Sequence, residues 1–180
     1  PVCIRTNRTK TTRESMHAEL VERFPDARLC GHAPDGIVLG RKGDAGHDPA
    51  FFPCQFSIQD EPSQLAVHLL DPPPGERILD PCAAPGTKPA AIADRLNGEC
   101  TLLALDRHPR RLQLVGRGMR RLGVGGVATL GRDATRSLTD LMEPEGPFDR
   151  ILVDAPCSGL GALRRNPDAR WRVRPEDLGT

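Results

Sequence analysis

Between residues 77 and 153 short apolar runs alternate with longer amphipathic ones, and this alternation narrows the fold more than any other property of the chain. Strands are predicted over residues 77–79, 101–105, 127–130 and 151–153, and helices over 89–96 and 110–122. A strand, a helix and a second strand in this order set the two strands parallel, joined by a right-handed crossover that lays the helix on the sheet. The run Ile151-Leu152-Val153 is wholly apolar, as expected of a strand covered on both faces. The expected fold class is therefore α/β, with ligands met at the carboxyl ends of the strands.

The segment before this alternation has a different texture. Residues 2–6 read as a strand, residues 12–24 as a helix with Met16, Leu20 and Phe24 four apart, residues 37–39 as another strand, and the Gly/Asp/His-rich stretch 40–49 as a loop. Residues 1–50 are thus expected to form a small α+β unit, and 51–180 a larger α/β domain. Phe56-Ser57-Ile58 leads into a helix over 62–70 with Pro62 in its first turn, and Pro72-Pro73-Pro74-Gly75 stops it. A chain of 180 residues holds one ordinary domain and a small appendage.

A formal net charge of +1 does not by itself announce a nucleic-acid binder. The arginines are unevenly placed, however. One group is Arg107, Arg110, Arg111, Arg117, Arg120 and Arg121, and a second runs from Arg164 and Arg165 through Arg170, Arg172 and Arg174. Each group is either a solvated face or, if both flank one cleft, a surface for phosphates. The six cysteines form no C-x-x-C pair and have no histidine at zinc-finger spacing, so no structural metal is expected. Without a secretory signal or an apolar run long enough for a bilayer, the chain reads as a cytoplasmic protein of a reducing compartment. It opens at Pro1 and stops at Thr180, where Pro175-Glu176-Asp177-Leu178 resembles the start of a helix, so it also reads as a fragment.

Two segments carry chemistry. Asp80 to Lys88, DPCAAPGTK, lies between the first strand of the alternation and its helix, the place of the nucleotide-binding loop in a Rossmann-like sheet. Small residues there let a ligand approach the backbone, and the helix offers its amide-rich end. Walker A fails because Thr87 separates Gly86 from Lys88, and no G-x-G-x-x-G occurs. The second segment, ILVDAPCSG from Ile151 to Gly159, runs a strand into an acid, a proline and a thiol. Cys157 is either a site thiol or an inert buried one. Asp106 follows the second strand about twenty residues after Gly86, where an acid grips ribose hydroxyls. Asp133 follows the third strand and can accept from an adenine amino group. Either acid is equally readable as a helix cap or Asx-turn. With Asp154 after the fourth strand, three acids converge on a ligand with ribose and adenine that need not carry phosphates.

DPCAAPGTK, LLALDRHPRRL, GRDAT and ILVDAPCSGLGALRRNPDARW, in this order and spacing, resemble the RNA cytosine-5 methyltransferases of the RsmB/NOP type, which use S-adenosylmethionine. The resemblance runs from about Phe56 to Trp171. It is looser over the first fifty residues, which are similar to the small RNA-binding unit that often precedes that catalytic domain. It implies a Rossmann-like methyltransferase sheet, incomplete at its carboxyl end. It also implies that Cys82, Ala83, Ala84, Pro85, Gly86, Thr87 and Lys88 surround the methionine and ribose of the cofactor. Asp106 and Arg111 join them, Asp133 lies near adenine, and Asp154 sits between cofactor and target base. Thr87 stands where the family usually has a second glycine, and Pro89 where a threonine is common.

The implied reaction is methyl transfer to carbon 5 of a cytosine in RNA, ribosomal RNA by default, through a covalent cysteine adduct. In that family the attacking cysteine belongs to a Thr-Cys segment after a later strand, and the Pro-Cys thiol helps the adduct break down. This sequence has no Thr-Cys. Cys157 is accordingly expected to be the accessory thiol, with Asp154 beside it, and this piece alone to be inactive. Arg164 and Arg165 are expected to meet RNA phosphates, while Asn166-Pro167-Asp168 shapes the base pocket. The rivals are a DNA cytosine methyltransferase sharing the thiol chemistry, and a noncatalytic RNA-binding or assembly factor with a residual cofactor pocket. An NAD-dependent oxidoreductase lacks its glycine fingerprint.

Overall fold

The computed structural model describes residues 2–40, 45–142, 146–157, 167, 168 and 171. Two four-stranded sheets organise them. The first is antiparallel throughout, with β1 at Cys3–Thr6, β2 at Arg28–Leu29, β3 at Gly36–Val38 and β4 at Phe56–Ile58, in the order β2-β3-β1-β4. Helix α1, Arg13–Arg23, is capped by Thr12, whose hydroxyl accepts the Ser15 N–H at 3.2 Å. It buries Met16 and Leu20 against Ile4, Ile37, Leu39 and Phe56. Two features were not anticipated. Strand β2 is two residues long, too short for any periodicity to register. The segment before the second helix is itself a strand, β4, which pairs with β1 so that Ile4 faces Ile58, and it carries the first sheet past residue 50.

The second sheet is parallel. Helix α2, Glu61–Leu70, leads to β5, Arg77–Asp80, followed by α3, Thr87–Arg95, β6, Thr101–Asp106, α4, Pro109–Leu122, β7, Val127–Gly131, and β8, Arg150–Ile151. The strand order is β7-β6-β5-β8. The chain steps outward from β5 through β6 to β7 and then returns to the opposite side of β5. That reversal opens a crevice at the carboxyl end of β5, the usual ligand position in such sheets. The core between sheet and helices consists of Ile78, Ile92, Leu102, Ala104, Val115 and their neighbours. The parallel α/β expectation therefore holds, and α3 starts two residues earlier than predicted, directly on the loop glycine.

One expectation is corrected. The run Ile151-Leu152-Val153 is not covered on both faces: Ile151 is 55 % and Val153 63 % exposed, and the regular strand ends at Ile151. Among the described residues β8 has β5 on one side and no strand on the other, and only Leu152, between the two exposed residues, packs partly buried against the core.

Buried polar contacts join the two sheets. Arg5 of β1 forms an ion pair with Asp94 of α3, both nearly inaccessible, and its Nε donates to Gln59 Oε1 at 2.9 Å. Asn7 donates through Nδ2 to the Leu122 carbonyl at 3.0 Å, closing onto the end of α4. Arg121 lies over the Phe51 ring at 4.4 Å and donates to Ser57 Oγ at 3.2 Å. The helices that floor the crevice are thereby tied to the N-terminal sheet.

Candidate functional site

The crevice at the carboxyl end of β5 is built first by its loop. After Asp80 the chain turns through Cys82 and Ala83, whose N–H donates to the Leu105 carbonyl at 2.8 Å and anchors the loop to β6. Gly86 then caps α3 with φ at +107°. A Cβ there would lie 2.9 Å from the Val115 Cα, so the glycine serves both the left-handed turn and the close approach of α4. Thr87 and Lys88 open α3, and Pro89 sits in its first turn, where no backbone donor is needed.

Acids and bases interleave around this loop. Asp106, at the end of β6, is buried, accepts the His108 N–H at 2.8 Å, and pairs with Arg111 Nη1 at 3.2 Å. Arg111 also donates to the Ala84 carbonyl at 2.8 Å. One guanidinium therefore clips the loop to the strand-end acid. Lys88, with a side chain 12 % exposed, pairs with Asp154, whose carboxylate is 57 % exposed just beyond β8. Asp80 is 1 % exposed, accepts the Cys82 N–H at 3.1 Å through Oδ1, and leaves Oδ2 without a hydrogen-bond partner among the described residues. Burial pushes its carboxyl up to about 6; the Cys82 N–H and Lys88 oppose this, and the negative charges of Asp154 and Asp106 add to it. Burial, helped by the neighbouring acids, likewise raises the Cys82 thiol.

Sequence reasoning passed over Asp80, although it ends β5 as Asp106 ends β6. The repeated acid at the last position of adjacent strands was the available signal. Asp106, Arg111, Lys88, Asp154 and the loop from Cys82 to Gly86 come together around it. Asp133 lies further out, beyond β7, lining with Arg132, Arg136 and Ser137 a depression of about 500 Å³. Its Oδ1 closes an Asx-turn by accepting the Thr135 N–H at 3.0 Å and hydroxyl at 2.8 Å, and these bonds hold its carboxyl below the usual range. The Cys157 thiol is free and exposed three residues after Asp154. Arg164, Arg165, Ser158, Gly159 and Asn166 lie outside the described residues, as do Arg170, Arg172 and Arg174 of the second arginine group. Among the described residues no three His, Cys, Asp or Glu gather as a metal site, and no helix is long and apolar enough to cross a membrane.

The family model described as 16S rRNA methyltransferase RsmB/F matches residues 67–180, which include every strand of this crevice. The chain belongs to the RsmB/F methyltransferase family. Ribosomal RNA small subunit methyltransferase B of Pseudomonas putida is 37 % identical over 180 residues, covering 99 % of this chain and 40 % of that protein. The probable methyltransferase B of Synechocystis is 36 % identical, covering 98 % and 40 %. RsmB/F membership agrees with the solved structure of a methyltransferase homologue from Pyrococcus horikoshii, which superposes with a TM-score of 0.79 at 29 % identity, over 92 % of this chain and 53 % of that one. The chain spans about 40 % of the length of the curated relatives it matches.

Proposed function

We propose that this chain supplies the S-adenosylmethionine site and an accessory thiol for methyl transfer to carbon 5 of a cytosine in RNA, with ribosomal RNA as the substrate class. S-adenosylmethionine is the cofactor of the family to which the chain belongs. The observation that carries the reading is the convergence of Asp80, Asp106 and Asp154 with Lys88 and Arg111 on one small-residue loop at the sheet's crevice.

The residues present fit such a group. The loop is built of the small residues Ala83, Ala84 and Gly86, and Gly86, where a Cβ would meet Val115 of α4, lets it turn directly into α3. Asp106 has both carboxylate oxygens held in place yet retains lone pairs for ribose hydroxyls. Asp133 keeps one oxygen outside its Asx-turn for an adenine amino group. When bound, S-adenosylmethionine supplies an electrophilic methyl group. On the side of the base, a thiolate adds to carbon 6, carbon 5 takes the methyl group, and loss of the carbon 5 proton with cleavage of the carbon–sulfur bond restores the ring. In this reading Lys88 fixes Asp154 between cofactor and base, and Cys157 assists the last step. The attacking thiol is not assigned to residues 1–180, and the small N-terminal unit holds RNA.

Calorimetric titration of the chain with S-adenosylmethionine tests the cofactor half. Binding is expected, and Asp106→Asn should weaken it by about tenfold or more, since a hydrogen bond to a charged acceptor is worth about 1.5–3 kcal/mol. Absence of binding in the folded chain would overturn the reading. For the chemistry, RNA incubated with chain and cofactor is digested and its nucleosides weighed. A 5-methylcytidine yield that needs Cys157 in this chain alone would show that thiol to be the nucleophile rather than the helper.

A further inference from the structure

The arginines of α4 divide into two sets that the sequence did not distinguish. Arg111 is consumed by Asp106 and the Ala84 carbonyl, and Arg121 by Ser57 and the Phe51 ring. Arg110, Arg117 and Arg120 are exposed, and among the described residues none of them has an ion-pair or hydrogen-bond partner. Several arginines elsewhere meet acids: Arg23 pairs with Glu19 and Asp48, Arg95 with Asp71, Arg132 with Asp140, and Arg150 with Glu76. Helix α4 itself contains no Asp or Glu.

The three unpaired arginines are not scattered around the helix. With Gln113 they follow the spacing three, four, three, which keeps them on one face, opposite the buried Leu112, Val115, Met119 and Leu122. From Arg110 to Arg120 the stripe spans about 15 Å at the helical rise. It borders an open depression of about 430 Å³ between α4 and β7, lined by Gln113, Gly116, Arg117, Arg120 and Thr129 among others. A Cβ on Gly116 would lie 3.5 Å from Arg120 Nη1, so that guanidinium runs along the groove beside the glycine.

We infer that this stripe is a track for the phosphodiester backbone of RNA, separate from the crevice and independent of base sequence. Three planar, permanently charged forks on a rigid helix suit phosphates. The groove between them is polar, without the buried aromatic anchor on which a protein partner would depend. The inference rests on the RNA half of the proposed function and adds a surface that half does not specify.

The test is fluorescence anisotropy of a labelled single-stranded RNA of mixed sequence, titrated with the chain over a range of salt. Each phosphate contact on a single strand contributes about 0.7 to the slope of log K against log salt, so the triple variant Arg110→Gln, Arg117→Gln, Arg120→Gln should lose about 2 from that slope. At 0.1 M salt this is about a hundredfold in affinity, if binding extrapolated to 1 M salt is unchanged. The triple Lys variant should keep most of the slope, and calorimetric binding of S-adenosylmethionine should be the same in all three proteins. A Gln variant with unaltered slope and affinity overturns the inference. A wild-type chain that binds S-adenosylmethionine but no RNA overturns it too, while leaving the cofactor site standing. RNA binding through the stripe without cofactor binding would instead remove the cofactor half of the proposed function.

Discussion

Asp80→Asn is the most direct probe of how the crevice is poised. The Asp80 carboxyl ends β5 almost wholly out of water, with one oxygen held by the Cys82 N–H and the other unpartnered among the described residues. Its pKa of about 6 in the fold stands above the ordinary 3.8 because the charged form is desolvated. The folded protein therefore holds a proton on Asp80 that the unfolded chain has released, over the window from about pH 4 to pH 6. Stability that depends on this group is intact below about pH 4, falls as the pH rises through 6, and is level above that. Two pKa units at about 1.4 kcal/mol each put the full loss near 3 kcal/mol. Asparagine keeps an acceptor for the Cys82 N–H and carries no charge. Its amide nitrogen lacks a partner, but so does the hydroxyl of a protonated Asp80, so the two proteins should be of similar stability at pH 4. By pH 7.5 the variant should be the more stable by about 3 kcal/mol. Urea denaturation at a series of pH values, followed by circular dichroism, measures the difference directly. If the gap between variant and wild type did not open between pH 4 and pH 7.5, the account of Asp80 as a desolvated, largely uncompensated charge would be refuted. A wild-type chain more stable than the variant at pH 7.5 would mean that Lys88 and the backbone repay the desolvation in full.

Three further outcomes follow from the geometry. Gly86→Ala should cost about 2–4 kcal/mol, combining a positive φ with a contact at 2.9 Å from Val115 Cα, and should weaken S-adenosylmethionine binding beyond what the stability loss alone explains; denaturation and calorimetry on one preparation separate the effects. Asp94→Ala should cost about 3–5 kcal/mol because it strands the buried Arg5 guanidinium, whereas Arg5→Met with Asp94→Leu should recover much of that, as thermal unfolding would record. Brief treatment of the native chain with iodoacetamide should label Cys157 ahead of Cys3 and Cys30, which are buried, and burial also raises both of their thiols, Cys3 to about 12; peptide mass spectrometry reads the order.

How much of the molecule could be read in advance depended on the range of the forces involved. The parallel sheet was legible because strand and helix periodicities are local: Leu112, Val115, Met119 and Leu122 announce one face of α4 before anything packs on it. The crevice was legible because a strand end, a small-residue loop and an acid recur in a set order, so Asp106, Lys88, Asp154 and Gly86 were named from sequence and are neighbours in space. Strand β2 was not legible, since two residues show no period and only pairing with β3 makes them a strand. The exposure of Ile151 and Val153 also escaped prediction, because an apolar run is written the same way whether or not a neighbour covers it.

The sequence by itself determined most of the element types, the position of the small-residue loop between β5 and α3, and the family to which the chain belongs. Tertiary structure decided what those residues do to one another. It isolated Asp80 from water, gave Arg111 to Asp106 while leaving Arg110, Arg117 and Arg120 unpaired among the described residues, and bound β1 to α3 through Arg5 and Asp94. Periodicity and turn chemistry act between residues a few positions apart and can be read along the chain. Desolvation and ion pairing act between residues as distant as 5 and 94, and exist only once the fold has brought them together.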